Sequence, residues 1–323
     1  MIPAAIQGDG VAARCCALLL PGAGMAAARA DHDSRGRPPA LLVSRSTERL
    51  MADVLGRPGL FADLPGIERR VVAWGPGAAP VTLPHAASVV AEEVLLARLP
   101  APAPAAGIAD WTVFASGAAP AARHRFGTRD ATVTPAELRS PEAACWMESL
   151  SAGWLFLIPG WLIAVGGGPQ TLLAESRLVA PRIRSLGQPA GSYPAAPGIA
   201  DPLCGPGWLA CGSAAMAFDP ICGDGTGNAV REAILAAAVI RAAARGEPVE
   251  RLLAHYRARL TAAFQKHLQL CLDYYRAAHA GPWWESQIAA LEGGLEWCGE
   301  QLAAAPAFRY RLEGFDLRPV SGG

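Results

Sequence analysis

The chain has 323 residues, a formal net charge of zero, and 17% charged against 52% hydrophobic residues. This length allows one large or two modest domains with an ample core. The balanced charge gives no basic footprint for nucleic acid. Apolar runs at 15–20, 154–165 and 233–244 are too short for a bilayer or are broken by Pro159 or Arg241, so no membrane span is expected. Met1 leads into the first predicted strand without a signal pattern, and the eight cysteines lack paired zinc spacing. The expectation is a cytoplasmic protein with buried free thiols and no metal.

In chain order, residues 1–7 are a short apolar run ending in Gly8-Asp9-Gly10-Val11-Ala12-Ala13, with small and apolar residues following to Leu20. A strand, a tight turn and a helix are predicted. Gly8, Gly10 and Ala13 fit the spacing of a dinucleotide fingerprint, where glycines allow the turn and the close approach of a pyrophosphate. An acid about 20 residues on should then close the second strand and hold a ribose. Asp31, at the end of 26–31, is the best candidate. A plain turn residue is the alternative, since the alanines before it are poor strand formers. His85 and His124 are possible proton handlers or ordinary loop and surface histidines. The proline-rich stretch 100–106 reads as a linker. Residues 109–117, Ala-Asp-Trp-Thr-Val-Phe-Ala-Ser-Gly, predict a strand entering a glycine turn. Residues 128–185 read as strands with one amphipathic crossover over 171–183, and 187–206 as loop.

The richest segment is 207–233. A strand at 208–211 precedes a small-residue turn, Gly212-Ser213-Ala214-Ala215. Asp219-Pro220 and the loop Gly223-Asp224-Gly225-Thr226-Gly227 then open an alanine-rich helix from about Thr226. Backbone N–H groups of such a loop, with the helix start, favour a nearby anion by roughly 0.3–2 kcal/mol. Phosphate and the negative edge of a reduced flavin both qualify. Asp219 can accept a proton or cap its turn, the cap being the simpler role. Cys222 is either a thiol activated by the positive helix end or a packed one. Asp224 adds negative charge at the loop unless it turns to solvent or pairs with Arg231. Beyond it, Val249, Leu252, Tyr256, Leu260, Phe264, Leu268, Cys271 and Tyr275 recur at helical spacing. Gly281-Pro282 breaks that helix, and Pro306 ends the next one.

These motifs, in this order, resemble the p-hydroxybenzoate-hydroxylase-like FAD-dependent oxidoreductases. Gly212-Ser213-Ala214-Ala215, Asp219-Pro220 and Gly223-Asp224-Gly225 stand where that family has Gly-Asp-Ala-Ala, Asp-Pro and Gly-Gln-Gly. Ala115-Ser116-Gly117 matches the end of its Asp-Ala-Ser-Gly turn. Gly153-Trp154-Leu-Phe156-Leu-Ile-Pro159 is similar to the Trp-x-Trp-x-Ile-Pro element of the flavin-dependent tryptophan halogenases. Arg45-Ser-Thr-Glu, Trp74, Tyr274-Tyr275 and Trp283-Trp284 echo further segments of that branch. Three departures stand out: Ser213 and Phe114 replace acids, and the usual arginine near Glu92-Glu93 is missing. Halogenases also need a lysine between flavin and substrate. The one lysine here, Lys266, lies far from the expected place around 66–70, and arginine cannot substitute for it.

The resemblance implies an α/β chain with an α+β substrate part. A Rossmann-like FAD-binding domain would span 1–127 with 200–247. An inserted substrate-facing sheet would span 128–199 with part of 61–90, before a helical C-terminal region at 248–323. It further implies FAD held by Gly8, Gly10, Ala13, Asp31, Ser213, Asp219, Gly223, Asp224, Gly225 and Thr226. Asp219, Trp154 and Phe156 would be the candidates nearest the chemistry. The implied reaction is hydroxylation of an electron-rich aromatic, free or peptidyl (an indole or a tryptophan side chain), through a flavin C4a-hydroperoxide. NAD(P)H or a separate flavin reductase would supply electrons. A degenerate flavoprotein kept as a binding partner or scaffold, a flavin-dependent reductase and a halogenase are the alternatives.

Overall fold

A computed structural model of the chain describes residues 3–20, 23–25, 39–100, 103–104, 109–117, 119–305 and 310–320. Asp31, most of the proline-rich stretch 100–106 and Pro306 lie outside these residues. The helices are α1 (Val11–Leu19), α2 (Arg45–Leu55), α3 (Glu92–Arg98), α4 (Pro169–Glu175), α5 (Gly225–Ala244), α6 (Val249–Arg276) and α7 (Pro282–Ala303). None of the described helices is long and apolar enough to cross a membrane.

The first strand, Ala4–Gln7, runs parallel between Trp111–Phe114 and Gly24–Met25. Trp208–Ala210 extends this sheet on the far side of Trp111–Phe114, and Cys204–Gly205 ends it. All three turns singled out in the sequence therefore leave neighbouring strands of one sheet. Parallel strands must be covered on both faces. Here small side chains do the covering at close range. α1 buries Ala12, Ala13, Cys15 and Cys16, and α5 buries an unbroken run from Glu232 to Ile240. The Cys16 thiol reaches the Ala233 carbonyl at 3.8 Å.

A nine-stranded sheet forms the second layer. Its order is Ile183–Leu186, Asp130–Leu138, Gly160–Gly166, Gly153–Ile158, Ala144–Leu150, Gly66–Ala73, Val81–Val90 and Leu41–Ser44, with Gly191–Pro194 also on Asp130–Leu138. It draws on Leu41–Ser44 as well as the residues expected to face substrate. The central strand Gly153–Ile158 is buried at every position. Trp154, Phe156 and Ile158 join the main core, while Leu155 and Leu157 join a smaller core with Leu172 of α4. A strand covered on both faces loses the polar alternation of a half-buried one, which explains its continuous apolar sequence.

The crossover expected over 171–183 differs. α4 stops at Glu175, a single 3-10 turn covers Ala180–Arg182, and a strand begins at Ile183. The cause is Glu148, buried on its strand, whose carboxylate accepts the N–H groups of Arg177, Leu178 and Val179 at 2.8, 3.0 and 3.0 Å. Those donors are then lost to a longer helix. The C-terminal region is also not all helical. Tyr310–Glu313 and Asp316–Pro319 form a hairpin, tied to α5 by Arg241 on Asp316 at 3.0 Å.

The layers meet at a buried ion pair. Asp219 and Arg129 have fully buried side chains, with Arg129 Nη2 2.7 Å from Asp219 Oδ2. Arg129 Nε donates to the same oxygen at 2.8 Å, and Nη1 donates to Gln287 of α7 at 2.8 Å. Tyr275 of α6 donates to Asp219 Oδ2 at 2.8 Å and receives the Trp154 indole N–H at 3.3 Å. The guanidinium lies 4.7 Å over the Tyr275 ring. Trp74, Trp154, Tyr275, Trp283 and Trp284 continue this contact as one aromatic cluster, with adjacent rings 4.7–6.3 Å apart. Breaking a buried pair by removing one partner costs about 3–5 kcal/mol. Arg129→Met should therefore lower stability by about that amount in urea unfolding; a loss below about 1 kcal/mol would mean that the pair is not what joins the layers.

Glu232 gives a pH-dependent test. It is buried on α5 beneath the Gly212 turn, and its carboxyl oxygens make no well-formed hydrogen bond among the described residues. Burial pushes its pKa well above the ordinary 4.5, only partly opposed by the Gly212 N–H and Arg123. The folded state thus keeps a proton that the unfolded state releases above pH 4.5. Stability falls as pH rises through that window. Glu232→Gln removes the penalty, so its melting temperature should exceed wild type at pH 7.5 and converge with it near pH 4. Parallel curves at both pH values would contradict this.

Candidate functional site

The three glycine turns converge because two of their glycines leave no room for a side chain. At Gly8, with φ 111°, a Cβ would lie 2.3 Å from Ser116 Oγ and 2.7 Å from Ser116 N. At Gly212, with φ 57°, it would lie 2.7 Å from the Ala12 Cβ and 2.8 Å from the Ala115 carbonyl oxygen. Gly10 is different. Its φ is −74°, and a Cβ there would meet only Glu92 Oε1, at 3.7 Å. It therefore keeps space open in front of α1 rather than serving the turn. Ala13, one turn into α1, is fully buried.

That space is lined with unspent donors. α1 has no side-chain cap and no acid in its first turn, so its first N–H groups point outward unneutralised. Ser116 Oγ is buried beside them without a hydrogen-bond partner among the described residues. Ser213 is exposed at the mouth of the second turn, and its carbonyl accepts Arg123 Nη2 at 2.6 Å. The start of α5 is a second such place. Gly223 has φ 62°, a Cβ on Gly225 would meet nothing within 4 Å, and no side chain caps the helix. Thr226 is half-buried in its first turn.

Asp224 does not add a free charge to this loop. Its Oδ2 pairs with Arg231 at 2.7 Å and its Oδ1 accepts Thr47 Oγ1 at 2.7 Å. The pair sits where a Cβ on Gly227 would be, 2.3 Å from Asp224 Oδ1. Thr47 is held by its own helix start, where Ser44 accepts the Thr47 N–H at 3.3 Å and caps α2. The charge expected at the loop is thus answered by Arg231, one of the two exceptions the sequence left open; Thr47 carries no sequence signal beyond its place in Arg45-Ser-Thr-Glu.

Of the two roles the sequence left open for Asp219, the structure has the turn cap and adds that of a buried anchor. Its side chain has no exposure, and Oδ1 accepts the Ile221 N–H at 2.9 Å as a turn cap. With Oδ2 held by Arg129 and Tyr275, it fixes the entry of the Gly223 loop. Trp154 is corrected. It is 0% exposed, so it lines no water-sized space and belongs to the core. Phe156 lies under the Arg70 guanidinium at 5.9 Å.

Arg70 is the side chain that sequence reasoning passed over. It comes from Gly66–Ala73 and points at the loop, with Nη2 3.6 Å from where a Gly223 Cβ would be. Arg70 Nη2 and His85 Nε2 are 3.0 Å apart. Burial and then Arg70 push the His85 pKa down to about 4, so near neutral pH this ring accepts from Arg70 and orients it. Among the described residues Arg70 Nε is buried without a well-formed hydrogen bond. His124 is elsewhere, exposed against Asp201 at 3.4 Å and the Trp297 ring at 4.9 Å. Lys266 is exposed on α6.

Cys222, His267 and Cys271 bring their donor atoms within 4.8 Å of one another beside this loop. His267 Nε2 already accepts the Asp219 N–H at 3.0 Å, so its lone pair is engaged.

No family model and no curated protein matches the chain. Solved structures do share its fold. The peptidyl tryptophan dihydroxylase QhpG, essential for tryptophylquinone cofactor biogenesis, superposes with TM-score 0.69 at 20% identity over 89% of this chain and 79% of that one. The flavin-dependent halogenase CmlS gives 0.71 at 15% identity, over 91% and 70%. The 2,6-dihydroxypyridine-3-hydroxylase from Arthrobacter nicotinovorans gives 0.63 at 12% identity, over 86% and 93%. The chain has the fold of these proteins: an α/β nucleotide-type layer joined to a large mixed sheet.

Proposed function

We propose that the chain is an FAD-dependent oxidoreductase that hydroxylates an electron-rich aromatic group, an indole or a peptidyl tryptophan being the class that fits best. The observation that carries this reading is the pair of uncapped helix starts, at Gly10 and Gly225, opening on space within this fold. The buried Ser116 hydroxyl beside the first start, without a hydrogen-bond partner among the described residues, supports it.

In this reading the α1 start, Gly10 and Ser116 hold the pyrophosphate, and Gly8 and Ala13 let the turn and helix approach closely enough. Asp31 takes the adenosine ribose. Ser213 meets the ribityl chain, more loosely than the acid it replaces. Gly223, Gly225 and Thr226 present N–H groups to the ring's pyrimidine edge, while Asp219 and Asp224 act by fixing the loop. FAD, when bound, supplies the redox and oxygen chemistry. The chain's own work is positioning. Arg70, held by His85, offers a fixed cation across the loop, with the buried Phe156 ring packed beneath it. Electrons would come from NAD(P)H or from a separate reductase.

One observation favours the second reading, a degenerate flavoprotein kept as a binding partner. The Glu92 carboxylate borders the Gly10 opening, 3.7 Å from where a Gly10 Cβ would be, and occupies room a phosphate would need. An absorbance spectrum of the purified protein separates the two. Flavin bands are expected, and Gly10→Val should abolish them while leaving the melting temperature within about 2 °C of wild type, since the added side chain meets open space. A Gly10→Val protein that retains flavin at full stoichiometry would remove the first turn from the site. A flavin-free wild type that gains no flavin when FAD is added would favour the scaffold.

Arg70, not a lysine, faces the loop, and arginine holds its protons too tightly to replace lysine in halogen transfer. With a flavin reductase, NADH, oxygen and bromide, tryptophan and indole-bearing peptides should gain oxygen and no bromine. Enzyme-dependent bromination at one ring position would overturn this.

A further inference from the structure

Two sulfurs touch at the edge of the glycine loop. Cys222 ends the 3-10 turn Pro220–Cys222 and precedes Gly223; Cys271 lies on α6. Their Sγ atoms are 3.6 Å apart. His267, one helical turn before Cys271, places Nε2 3.4 Å from the Cys271 sulfur. Cys222 is half-buried and Cys271 is buried, so one sulfur of the pair can be reached and the other is held behind it.

We propose that Cys222 and Cys271 form a redox-active dithiol, with Cys222 the sulfur attacked by a hydroperoxide and Cys271 the sulfur that resolves it. The Cys222 thiolate attacks the terminal oxygen of the hydroperoxide. An S–O bond forms, the O–O bond breaks, and the alkoxide, or hydroxide from hydrogen peroxide, takes a proton from water. Cys271 sulfur then attacks the sulfenic Cys222, an S–S bond forms, and the Cys271 proton leaves with the hydroxyl group as water. Two thiols lose two electrons and the peroxide is reduced to an alcohol and water. Disulfide closure needs the sulfurs to move from 3.6 Å to about 2.0 Å. Only the short turn carrying Cys222 has to shift, and Gly223 after it, at φ 62°, is a flexible joint. Oxidation would therefore be felt directly in the loop ahead of α5.

The electrostatics agree in direction. The hydrogen bond from Cys271 lowers the Cys222 pKa against the effect of burial, whereas burial raises that of Cys271 well above the ordinary value. The nucleophile is thus the accessible sulfur, as peroxide chemistry requires. A metal suits the trio less well. His267 Nε2 is occupied by the Asp219 N–H, and the Arg129 guanidinium lies close behind Asp219. The molecule contains its own control: Cys16 and Cys211 have sulfurs 3.9 Å apart, but both are 0% exposed.

The experiment uses the purified chain with whatever it retains, and does not depend on the flavin reading. Graded hydrogen peroxide is followed by alkylation and peptide mass mapping. A Cys222–Cys271 cross-linked peptide, lighter by two hydrogens, should appear at peroxide concentrations at least tenfold below those that consume Cys16 or Cys211. Dithiothreitol should reverse it. Cys271→Ala should leave Cys222 as a sulfenic acid trapped by a dimedone probe, and Cys222→Ser should leave Cys271 unreactive. Cys222 reacting no faster than Cys16, or a wild type that accumulates sulfenic acid without the cross-link, would overturn the proposal. So would stoichiometric zinc in the purified protein that protects both thiols until a chelator removes it.

Discussion

The Arg129–Asp219 pair is the constraint on which the rest of this molecule hangs. Asp219 stands four residues before the glycine loop, Arg129 at the entry to the large sheet, and Tyr275 and Gln287 on the two long helices. Two buried charges of this kind are expensive unless every lone pair and donor is engaged. Room for them is made on purpose: a Cβ on Gly127 would lie 2.6 Å from Arg129 Nη1 and 2.7 Å from Gln287 Oε1. The pair thus selects one relative placement of sheet, loop and helices, because sliding any of them strands a charge in the core. Its contribution is a single geometry more than net stability.

Charge around the loop is compensated in the same manner. Asp224 is answered by Arg231 and Thr47, and Arg70 is oriented by a neutral His85. Among the described residues near the loop, the N-terminal N–H groups of α1 and α5, the Ser116 hydroxyl and Arg70 Nε are left without a hydrogen-bond partner from a side chain, which is informative. Unspent donors beside open space are the physical form of a site for a partly anionic ligand. Glu92 borders the same opening with a carboxylate, and it marks a departure from a simple phosphate cradle.

The fold is shared by hydroxylases and halogenases alike, so it does not choose between their chemistries. The choice lies in single side chains facing the loop. Here the large sheet sends Arg70 toward it and keeps both Trp154 and Phe156 in the core. The aromatic residues that resemble the halogenase branch, Trp74, Tyr275, Trp283 and Trp284, form the seam between sheet and helices.

By itself the sequence determined the local elements that have strong backbone requirements. The strand–turn–helix at Gly8 to Leu20, the turn at Gly212, the loop at Gly223 and the helix after it all follow from glycine spacing and apolar runs, which act over a few residues. The Asp224–Arg231 pairing was legible for the same reason, being a contact along one helix start. The roles of Asp219, Trp154 and Arg70 were not legible. Each depends on a partner far along the chain: Arg129 and Tyr275 for Asp219, complete burial for Trp154, and His85 with the Gly223 loop for Arg70. The early end of α4 has the same origin, because Glu148 takes its N–H groups from a distant strand. The closeness of Cys222 to Cys271 likewise appears only when α6 packs against the turn after Asp219. Backbone conformation is decided by neighbours in sequence, while burial and charge pairing are decided by neighbours in space, and only tertiary structure supplies the second kind.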